Sequence, residues 1–294
     1  MKTIRWAMLS AVLCLWIMVC ASCSQVAITG RSQLNLIPDS TMNKMALTEY
    51  QTFLKDNKVS ASASDNSAVQ RVGLKIQDAV ERYCRQNNMA DRVSGFNWEF
   101  NLIESKEINA WAMPGGKVVV YTGLLPVTQN DTGLAVVMGH EIAHVIARHG
   151  NERMSQGLLV QMGGMAVSEA LSTQPAATQQ LFSQSYGLGT NVALILPYSR
   201  LHETEADRMG MIFMAMAGYN PQDAVAFWER MAKQTSTKDK PIEFLSTHPA
   251  DSTRIANIKS CIPEAMRYYQ PGPAAVPTTT PQTKPTSGWQ NIIK

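Results

Sequence analysis

An apolar run that contains three histidines, residues 136–149, constrains the fold of this chain more than any other segment. His140 and His144 are four residues apart, so on a helix they share one face and can direct two imidazoles at one zinc ion. Glu141 lies beside them, where a carboxylate can accept a proton from a zinc-bound water, whose pKa zinc lowers to about 7. A chance match on a surface helix is the alternative, but the flanks are too apolar for one. Burying these polar groups requires a partner, and a metal ion is the simplest.

The boundaries of this helix are also predicted from the sequence. Asp131-Thr132 has the composition of an N-terminal cap, and Gly150 is typical of a residue that ends a helix. His149 precedes that glycine, so we assign it to the helix C-terminus, where a histidine interacts favourably with the helix dipole, rather than to the metal.

Composition and charge place the chain among globular proteins. It has 294 residues, of which 45% are hydrophobic and 17% are charged, and its net charge is +3. This charge is too small to indicate nucleic-acid binding, and the basic residues are scattered, without a run of aromatic residues and arginines. We therefore expect protein partners and no nucleic acid.

The first residues have the pattern of a secretory signal. Lys2 and Arg5 precede the apolar run 6–19, which is shorter than the roughly 20 residues that a transmembrane helix needs. The small residues before Cys23 resemble the end of a bacterial lipobox, which predicts that Cys23 is lipidated. Ser24 follows, instead of the aspartate that retains lipoproteins in the inner membrane. We therefore expect a lipid anchor at the periplasmic face of the outer membrane.

Four segments are predicted along the chain. Residues 1–22 form the signal peptide, 23–67 a lipidated linker with a helix, 68–265 a zinc metallopeptidase domain, and 266–294 a disordered tail rich in proline and threonine.

Two cysteines remain in the mature chain, apart from Cys23. Cys84 and Cys261 can form a disulfide in an oxidising compartment, or they can be two separate buried thiols. The sequence does not distinguish these alternatives, because it does not determine connectivity.

A short sheet is predicted between two helical regions. Trp98, Phe100 and Leu102 alternate with polar residues, and segments 109–113 and 117–121 flank a Pro-Gly-Gly turn. The predicted fold is α+β and mainly helical, a zincin-type metalloprotease domain with a small antiparallel sheet packed on the H-E-x-x-H helix.

Segment 109–113 is a candidate for substrate binding. If it lies at the edge of the sheet, its free backbone groups can pair with an extended peptide. The residues predicted to do so are Asn109, Ala110, Trp111 and Ala112. The alternative is an ordinary edge strand that a loop covers.

A catalytic zinc needs a third protein ligand. The metzincin pattern would require glycine at 147 and histidine at 150, where this chain has Ala147 and Gly150, so that class is excluded. The gluzincin alternative takes a glutamate from a second helix. Glu203 and Asp207 are four apart and share a face, so Glu203 is the predicted ligand and Asp207 the acceptor that orients a ligand histidine. Glu205 faces roughly the opposite side.

Three more residues are candidates near the site. His202 points about 100° away from Glu203 on a helix, which argues against a ligand role. His248 and Arg254 lie far downstream and can fold back to meet an oxyanion or the zinc. Arg254 can instead pair with Asp251 or Glu243, and the spacing alone favours no role for either residue.

Four separated motifs within residues 68–262 resemble those of the HtpX/CAAX-prenyl-protease family of zinc metallopeptidases. They are Asn109-Ala110-x-Ala112-x-Pro114-Gly115-Gly116 with Gly123-Leu124-Leu125; His140-Glu141-Ile142-Ala143-His144-Val145-Ile146-Ala147-Arg148-His149; Ser199-Arg200-x-x-Glu203-x-Glu205-Ala206-Asp207-x-x-Gly210; and His248-Pro249-x-x-x-x-Arg254. The signal region makes the chain most similar to the periplasmic BepA- and LoiP-like branch.

The resemblance implies roles for several residues. It implies that Glu203 is the third ligand, that the segment around His248 occludes the zinc, and that Arg254 belongs to the catalytic machinery. It also implies that the substrates are misfolded or stalled envelope proteins.

The sequence therefore predicts an endopeptidase with one zinc ion per chain. Glu141 is the predicted base, and His248 or Arg254 is predicted to hold the oxyanion. Predicted partners are unfolded or misfolded proteins, the membrane through the lipid anchor, and the outer-membrane assembly machinery. One rival is a lipid-anchored assembly factor whose zinc site His248 keeps shut. The other is a structural zinc site with four closed ligands.

Overall fold

The structure, a computed structural model, describes residues 23–161, 167–173, 175–186, 200–235 and 243–271. The signal peptide and most of the Pro/Thr-rich tail lie outside the described residues. The strands are β1 (Cys23–Gln25), β2 (Ser32–Leu34), β3 (Glu99–Ile103), β4 (Ala110–Met113) and β5 (Lys117–Tyr121). The helices are α1 (Asp39–Asp56), α2 (Ala63–Gln86), α3 (Leu125–Thr128), α4 (Asp131–Ile146), α5 (His149–Gln161), α6 (Val167–Thr173), α7 (Pro175–Ser185), α8 (Arg200–Met216), α9 (Asp223–Thr235), α10 (Glu243–Thr247) and α11 (Ser252–Met266).

The predicted fold class is confirmed, with one correction to the sheet. The strand order is β3-β5-β4, and β4 pairs antiparallel with β5 across the turn at Gly115 and Gly116, whose φ angles are +80° and +79°. β3, however, runs parallel to β5, so the sheet is mixed and not antiparallel. The reason is topological: two reversals of the chain return β5 to the direction of β3, and β5 then lies between the other two strands.

Helix α4 carries the H-E-x-x-H segment and is buried over almost its whole length. Its N-terminal cap is Asn130, whose Oδ1 accepts a hydrogen bond from the Gly133 N–H at 3.0 Å, so the predicted cap at Asp131-Thr132 is one residue late. The helix ends at Ile146, not at Gly150. The chain turns at Arg148, which has a φ of +61°, and α5 begins at His149. Arginine is uncommon in the left-handed region, so the residue type at position 148 does not predict this turn.

Two glycines let α4 and α8 cross with their backbones in contact. A Cβ atom added to Gly210 would lie 2.8 Å from the His140 nitrogen, and one added to Gly139 would lie 2.9 Å from the Gly210 oxygen. Because no side chain separates the helices here, the residues on either side of the crossing face each other at short range. α4 also packs on β4, so it lies between the sheet and α8.

The N-terminal hairpin, β1 and β2 with the turn between them, belongs to the same body as the helices. Val26 and Ala27 are 2% exposed and lie in the main hydrophobic core. Arg31, in the turn, places its guanidinium 2.7 Å from a Glu152 oxygen on α5 and 2.9 Å from a Glu205 oxygen on α8. The hairpin is thus held by apolar burial and by two ion pairs.

Cys84 and Cys261 are both free thiols in this structure, Cys84 buried and Cys261 partly exposed. Burial raises the pKa of the Cys84 thiol to about 11, which keeps it protonated near neutral pH. In the part of the chain that the structure describes, no helix has both the length and the apolar character needed to cross a membrane.

We expect Gly210→Ala to lower the free energy of unfolding by about 1–3 kcal/mol, because the new methyl group would push α8 away from α4. Urea denaturation measures this loss. Thr204→Ala, at a half-buried position of the same helix, is the matched control and should change stability by no more than about 0.5 kcal/mol. Equal stability of the two variants would show that the helices do not depend on the close crossing.

The acid limb of stability should depend on Glu152. Burial alone would raise the pKa of this carboxyl, but hydrogen bonds from Arg31 and His202 lower it to about 2. The folded state therefore binds fewer protons than the unfolded state between about pH 4.5 and pH 2, and stability rises with pH in that window. The wild-type advantage over Glu152→Gln should be complete above about pH 5 and should disappear as the pH falls to 2.

Urea denaturation at a series of pH values measures this difference. The control is Asp78→Asn, which breaks an exposed pair with Arg82 and should cost at most about 1 kcal/mol. A gap between wild type and Glu152→Gln that does not shrink in acid would contradict the prediction.

Candidate metal centre

Four side chains from two helices and one connecting segment converge on one point. His140 and His144 come from α4, Glu203 from α8, and His248 from the segment just after α10. All four are buried, and one ligand atom of each lies within 4.8 Å of the others. The two histidines predicted from their spacing and the glutamate predicted as third ligand are therefore brought together.

The spacing of these atoms fits a tetrahedral ion. His144 Nε2 lies 3.1 Å from His140 Nε2 and 3.2 Å from Glu203 Oε1. His248 Nδ1 lies 3.2 Å from His140 Nε2 and 2.9 Å from Glu203 Oε1. Zinc with bonds of 2.0–2.1 Å separates tetrahedral ligands by about 3.3 Å, close to these distances. Three imidazoles and one carboxylate form a donor set that suits zinc, so the residues fit one Zn²⁺ per chain.

Asp207, which is predicted to orient a ligand histidine, lies against His140. Its Oδ1 lies 2.9 Å from His140 Nδ1, so this ring nitrogen donates and Nε2 keeps its lone pair for the metal. Burial alone would raise the pKa of the Asp207 carboxyl, but the adjacent Arg254 and His140 hold it below its ordinary value. Asp207 therefore remains an acceptor.

Arg254 lies behind the ligands and contacts both carboxylates. Its Nε and one terminal nitrogen donate to Asp207 at 2.8 Å, and the other terminal nitrogen lies 2.9 Å from Glu203 Oε2. The guanidinium also stacks on the Trp228 ring, 3.4 Å from its centroid. Arg254 thus occupies Oε2 and leaves Oε1 of Glu203 for the metal. Asp251 caps α11 by accepting from the backbone N–H of Arg254 at 2.8 Å and does not pair with its side chain.

Glu141 is buried beside the ligands, with 4% of its surface exposed. Its Oε1 lies 3.6 Å from His248 Nε2 and has no hydrogen-bond partner among the described residues. Burial raises the pKa of this carboxyl, which is the direction that a general base needs near neutral pH. An unpartnered carboxylate oxygen inside a protein is costly, and this makes Glu141 the candidate base beside the ligands.

His248 occupies the fourth corner of the site in this structure. Its ring lies against Phe244, with centroids 4.8 Å apart, and Phe244 in turn stacks on Trp228 at 5.9 Å. The sequence left the role of His248 open, because residue spacing cannot show that a chain segment 45 residues after Glu203 returns to the metal. Neither aromatic neighbour was predicted.

A second group of buried polar residues lies on the far side of His144. His149 Nδ1 is 2.9 Å from His144 Nδ1, so His149 contacts a ligand histidine. The prediction that His149 lies at the C-terminus of the H-E-x-x-H helix is wrong, because α5 begins at this residue. His149 Nε2 lies 3.1 Å from Glu205 Oε2, and His202 Nε2 lies 3.0 Å from Glu152 Oε2. The periodicity placed Glu205 away from the ligands correctly, but no pattern linked it to His149.

The candidate substrate strand β4 lies at the edge of its sheet. In the antiparallel register, Trp111 pairs with Val119 by hydrogen bonds, so the backbone groups of Ala110 and Ala112 point away from β5. The Ala110 N–H donates to Asn109 Oδ1 at 2.9 Å. Trp111 is itself only 6% exposed and packs against Phe53 edge-on, with ring centroids 4.9 Å apart. The substrate role of these residues stays a prediction.

Comparison with known proteins identifies relatives that share this site region. The chain is 36% identical over 243 residues to mitochondrial metalloendopeptidase OMA1 of Schizosaccharomyces pombe, covering 82% of this chain and 66% of that protein. It is 27% identical over 247 residues to human mitochondrial metalloendopeptidase OMA1, covering 83% and 46%. It is 31% identical over 167 residues to the beta-barrel assembly-enhancing protease of Escherichia coli, covering 55% and 34%.

The chain spans two thirds or less of the length of each of these relatives. The finer branch predicted from the sequence is not established by them, because both mitochondrial and bacterial proteins match. The profile of peptidase family M48 matches residues 71–262, which contain the H-E-x-x-H helix, the glutamate helix and His248. The chain belongs to peptidase family M48, a family of zinc metallopeptidases.

Proposed function

We propose that this chain is a zinc endopeptidase that cleaves unfolded or misfolded proteins. The observation that carries the proposal is the convergence of the His140, His144 and Glu203 ligand atoms beside the unpartnered carboxylate oxygen of Glu141. A purely structural zinc site has no use for a buried glutamate without a hydrogen-bond partner, whereas peptide hydrolysis requires a base at this place.

The chemistry follows from the surroundings of each residue. Zinc, when bound, supplies a Lewis acid that polarises the scissile carbonyl and acidifies water. Glu141 accepts the proton of the attacking water and transfers it to the leaving amine. Asp207 and Arg254 keep His140 and Glu203 oriented, because they bind the sides of these residues that face away from the metal. His248 or Arg254 helps to hold the oxyanion that forms on the scissile carbonyl.

We propose that the resting site is shut by His248. Its Nδ1 lies within 3.2 Å of both His140 Nε2 and Glu203 Oε1, where a catalytic site would keep a position for water or substrate. Hydrolysis then requires the segment 244–248 to withdraw. The two ring contacts of Phe244, with Trp228 and with His248, hold the segment in its shut position.

An extended peptide is the substrate that suits the edge strand. The C=O group of Ala110 and both backbone groups of Ala112 point away from β5, and a peptide laid along β4 can pair with them. The Ala110 N–H already donates to Asn109 Oδ1. Recognition through backbone groups requires an unfolded segment and little side-chain specificity. Asn109 precedes these positions, Trp111 lies between them, and the four residues together form the proposed binding segment.

The proposed location is the periplasmic face of the outer membrane, with an anchor at Cys23. The support is the signal pattern of residues 1–22, which lies outside the described residues. The name of the Escherichia coli relative, a beta-barrel assembly-enhancing protease, supports a link to the outer-membrane assembly machinery. We include quality control of envelope proteins in the proposal on this ground.

A second candidate function is a lipid-anchored assembly factor with rare turnover. The observation that favours it is the same placement of His248, because a site closed by a fourth ligand binds partners without hydrolysing them. The two functions differ in whether cleavage occurs once His248 is removed.

We expect Glu141→Gln to keep one zinc ion per chain and to abolish the cleavage of casein, because the amide cannot accept the proton of water. The assay uses the soluble protein that spans residues 24–294. A loss of at least about a hundredfold is expected, and elemental analysis reports the zinc content. Glu104→Gln, at an exposed pair with Lys58, is the matched control and should leave cleavage unchanged. Full activity of Glu141→Gln would refute the mechanism.

We expect His248→Ala to retain zinc on the remaining three ligands and to cleave casein at least about tenfold faster than wild type, because a position opens for water. Ser252→Ala, at an exposed position of α11, is the control. A slower rate would show that His248 acts during catalysis and does not occlude the site. Zinc-loaded wild type and His248→Ala that both fail to cleave would favour the assembly factor.

A further inference from the structure

We infer that His149, Glu205 and Arg31 form a relay that positions His144 with the lone pair of its Nε2 directed at the metal. None of the three touches the site's four ligand atoms, so all are positioning residues. The inference rests on the zinc site of the proposed function but not on proteolysis. It assigns a role to the N-terminal hairpin, which lies outside the matched family region of residues 71–262.

Metal binding through Nε2 determines where His144 carries its proton. Its Nε2 lies among the ligand atoms, 3.2 Å from Glu203 Oε1, and must present a lone pair to a metal. The single proton of a neutral imidazole is then on Nδ1. His144 Nδ1 lies 2.9 Å from His149 Nδ1, so it donates a hydrogen bond there, and His149 Nδ1 accepts it.

The hydrogen bond from His144 also determines which nitrogen of His149 carries the proton. With Nδ1 as the acceptor, the proton of His149 is on Nε2, which lies 3.1 Å from Glu205 Oε2. A carboxylate oxygen accepts and cannot donate, so Glu205 favours this tautomer of His149 over the other. His149 is fully buried, and its ring stacks on His202 with centroids 4.4 Å apart, which limits rotation of the ring.

Arg31 and Thr29 keep Glu205 an acceptor. Arg31 donates from Nε at 3.0 Å and from Nη2 at 2.9 Å, and the Thr29 hydroxyl lies 2.7 Å from Oε1. The hydrogen-bonding neighbours of Glu205 among the described residues are therefore all donors. Arg31 is itself fixed by two hydrogen bonds to Glu152, at 2.8 and 2.7 Å. The guanidinium thus bridges two buried carboxylates, and its position on the hairpin determines the position of both.

The two ligand histidines of α4 are therefore supported in different ways. His140 donates directly to a carboxylate, Asp207, at 2.9 Å. His144 reaches its carboxylate, Glu205, through one additional imidazole. A carboxylate or carbonyl behind a metal-binding histidine commonly changes metal affinity by 10- to 100-fold, and the relay extends this influence to the hairpin.

The variant that tests the relay is Glu205→Gln, which has nearly the same shape. Arg31 donates to both oxygens of Glu205, so the amide nitrogen of the variant opposes the guanidinium in either orientation and weakens the pair. Where this nitrogen replaces Oε2, it faces His149 Nε2 and favours the opposite tautomer of His149, whose Nδ1–H opposes the Nδ1–H of His144. We expect the zinc affinity of the purified chain, measured by competition with a chelator, to fall by roughly 10- to 100-fold. The control is Glu264→Gln, which breaks a comparable pair with Arg208 at 2.7 and 2.8 Å on the outer side of α8.

A spectroscopic measurement separates positioning from a general structural role. Long-range proton–nitrogen NMR of histidine-labelled, zinc-loaded wild type should show protons on His144 Nδ1 and His149 Nε2. Glu205→Gln should shift the proton of His149, while Glu264→Gln should leave both rings unchanged. If Glu205→Gln does not fold, Arg31→Gln serves instead, because Arg31 lies in the partly exposed hairpin turn; we expect it to weaken zinc binding severalfold.

The outcomes are distinct from those that test the proposed function. Folded Glu205→Gln and Arg31→Gln that bind zinc within about twofold of wild type, with unchanged tautomers, would overturn the relay. Wild type that binds zinc tightly with the expected tautomers but does not cleave casein would refute the endopeptidase and leave the relay intact.

Discussion

The backbone contact between α4 and α8 at Gly139 and Gly210 is the constraint on which the rest of the structure depends. Two helices normally lie 8–10 Å apart, held off by side chains. Here the side chain is missing at the crossing, and ligands from both helices therefore lie within 3.2 Å of one another. One helix supplies the imidazoles and the base, and the other supplies the carboxylates. Neither helix can bind the metal alone.

Burying so many charged groups requires that each be neutralised in place. Glu203 and Asp207 are each 5% exposed, and Arg254, which contacts both, is 6% exposed. Removing these charges from water costs several kcal/mol per ion unless they are paired and hydrogen-bonded. Arg254 supplies one positive charge for two carboxylates, and a bound zinc ion supplies the rest. The residues that orient the ligands therefore leave a net negative charge in the buried site, and the bound metal neutralises it.

The metal centre extends beyond the segment that carries the family motifs. Glu205 faces away from the ligands and contacts Arg31 in the N-terminal hairpin, while His149 joins it to His144. The N-terminal hairpin, part of the segment predicted to be a linker, is therefore packed into the core, with Val26 and Ala27 buried. If Cys23 carries a lipid, as we propose, the anchor lies eight residues before Arg31, a member of the relay behind the zinc site.

The sequence by itself determined the chemistry of the site: the spacing of His140 and His144, the adjacent Glu141, and a second helix that carries Glu203 and Asp207. These follow from the helical period, which is a local property. Only the tertiary structure decided the parts that depend on contacts between distant segments. They include the parallel pairing of β3 with β5, the return of His248 to the metal, and the link from His149 to Arg31. The turn at Arg148 brings His149 beside His144, and the crossing at Gly210 brings α8 against α4. These contacts join segments that are distant in the chain or separated by a turn, and helical periodicity carries no information about them.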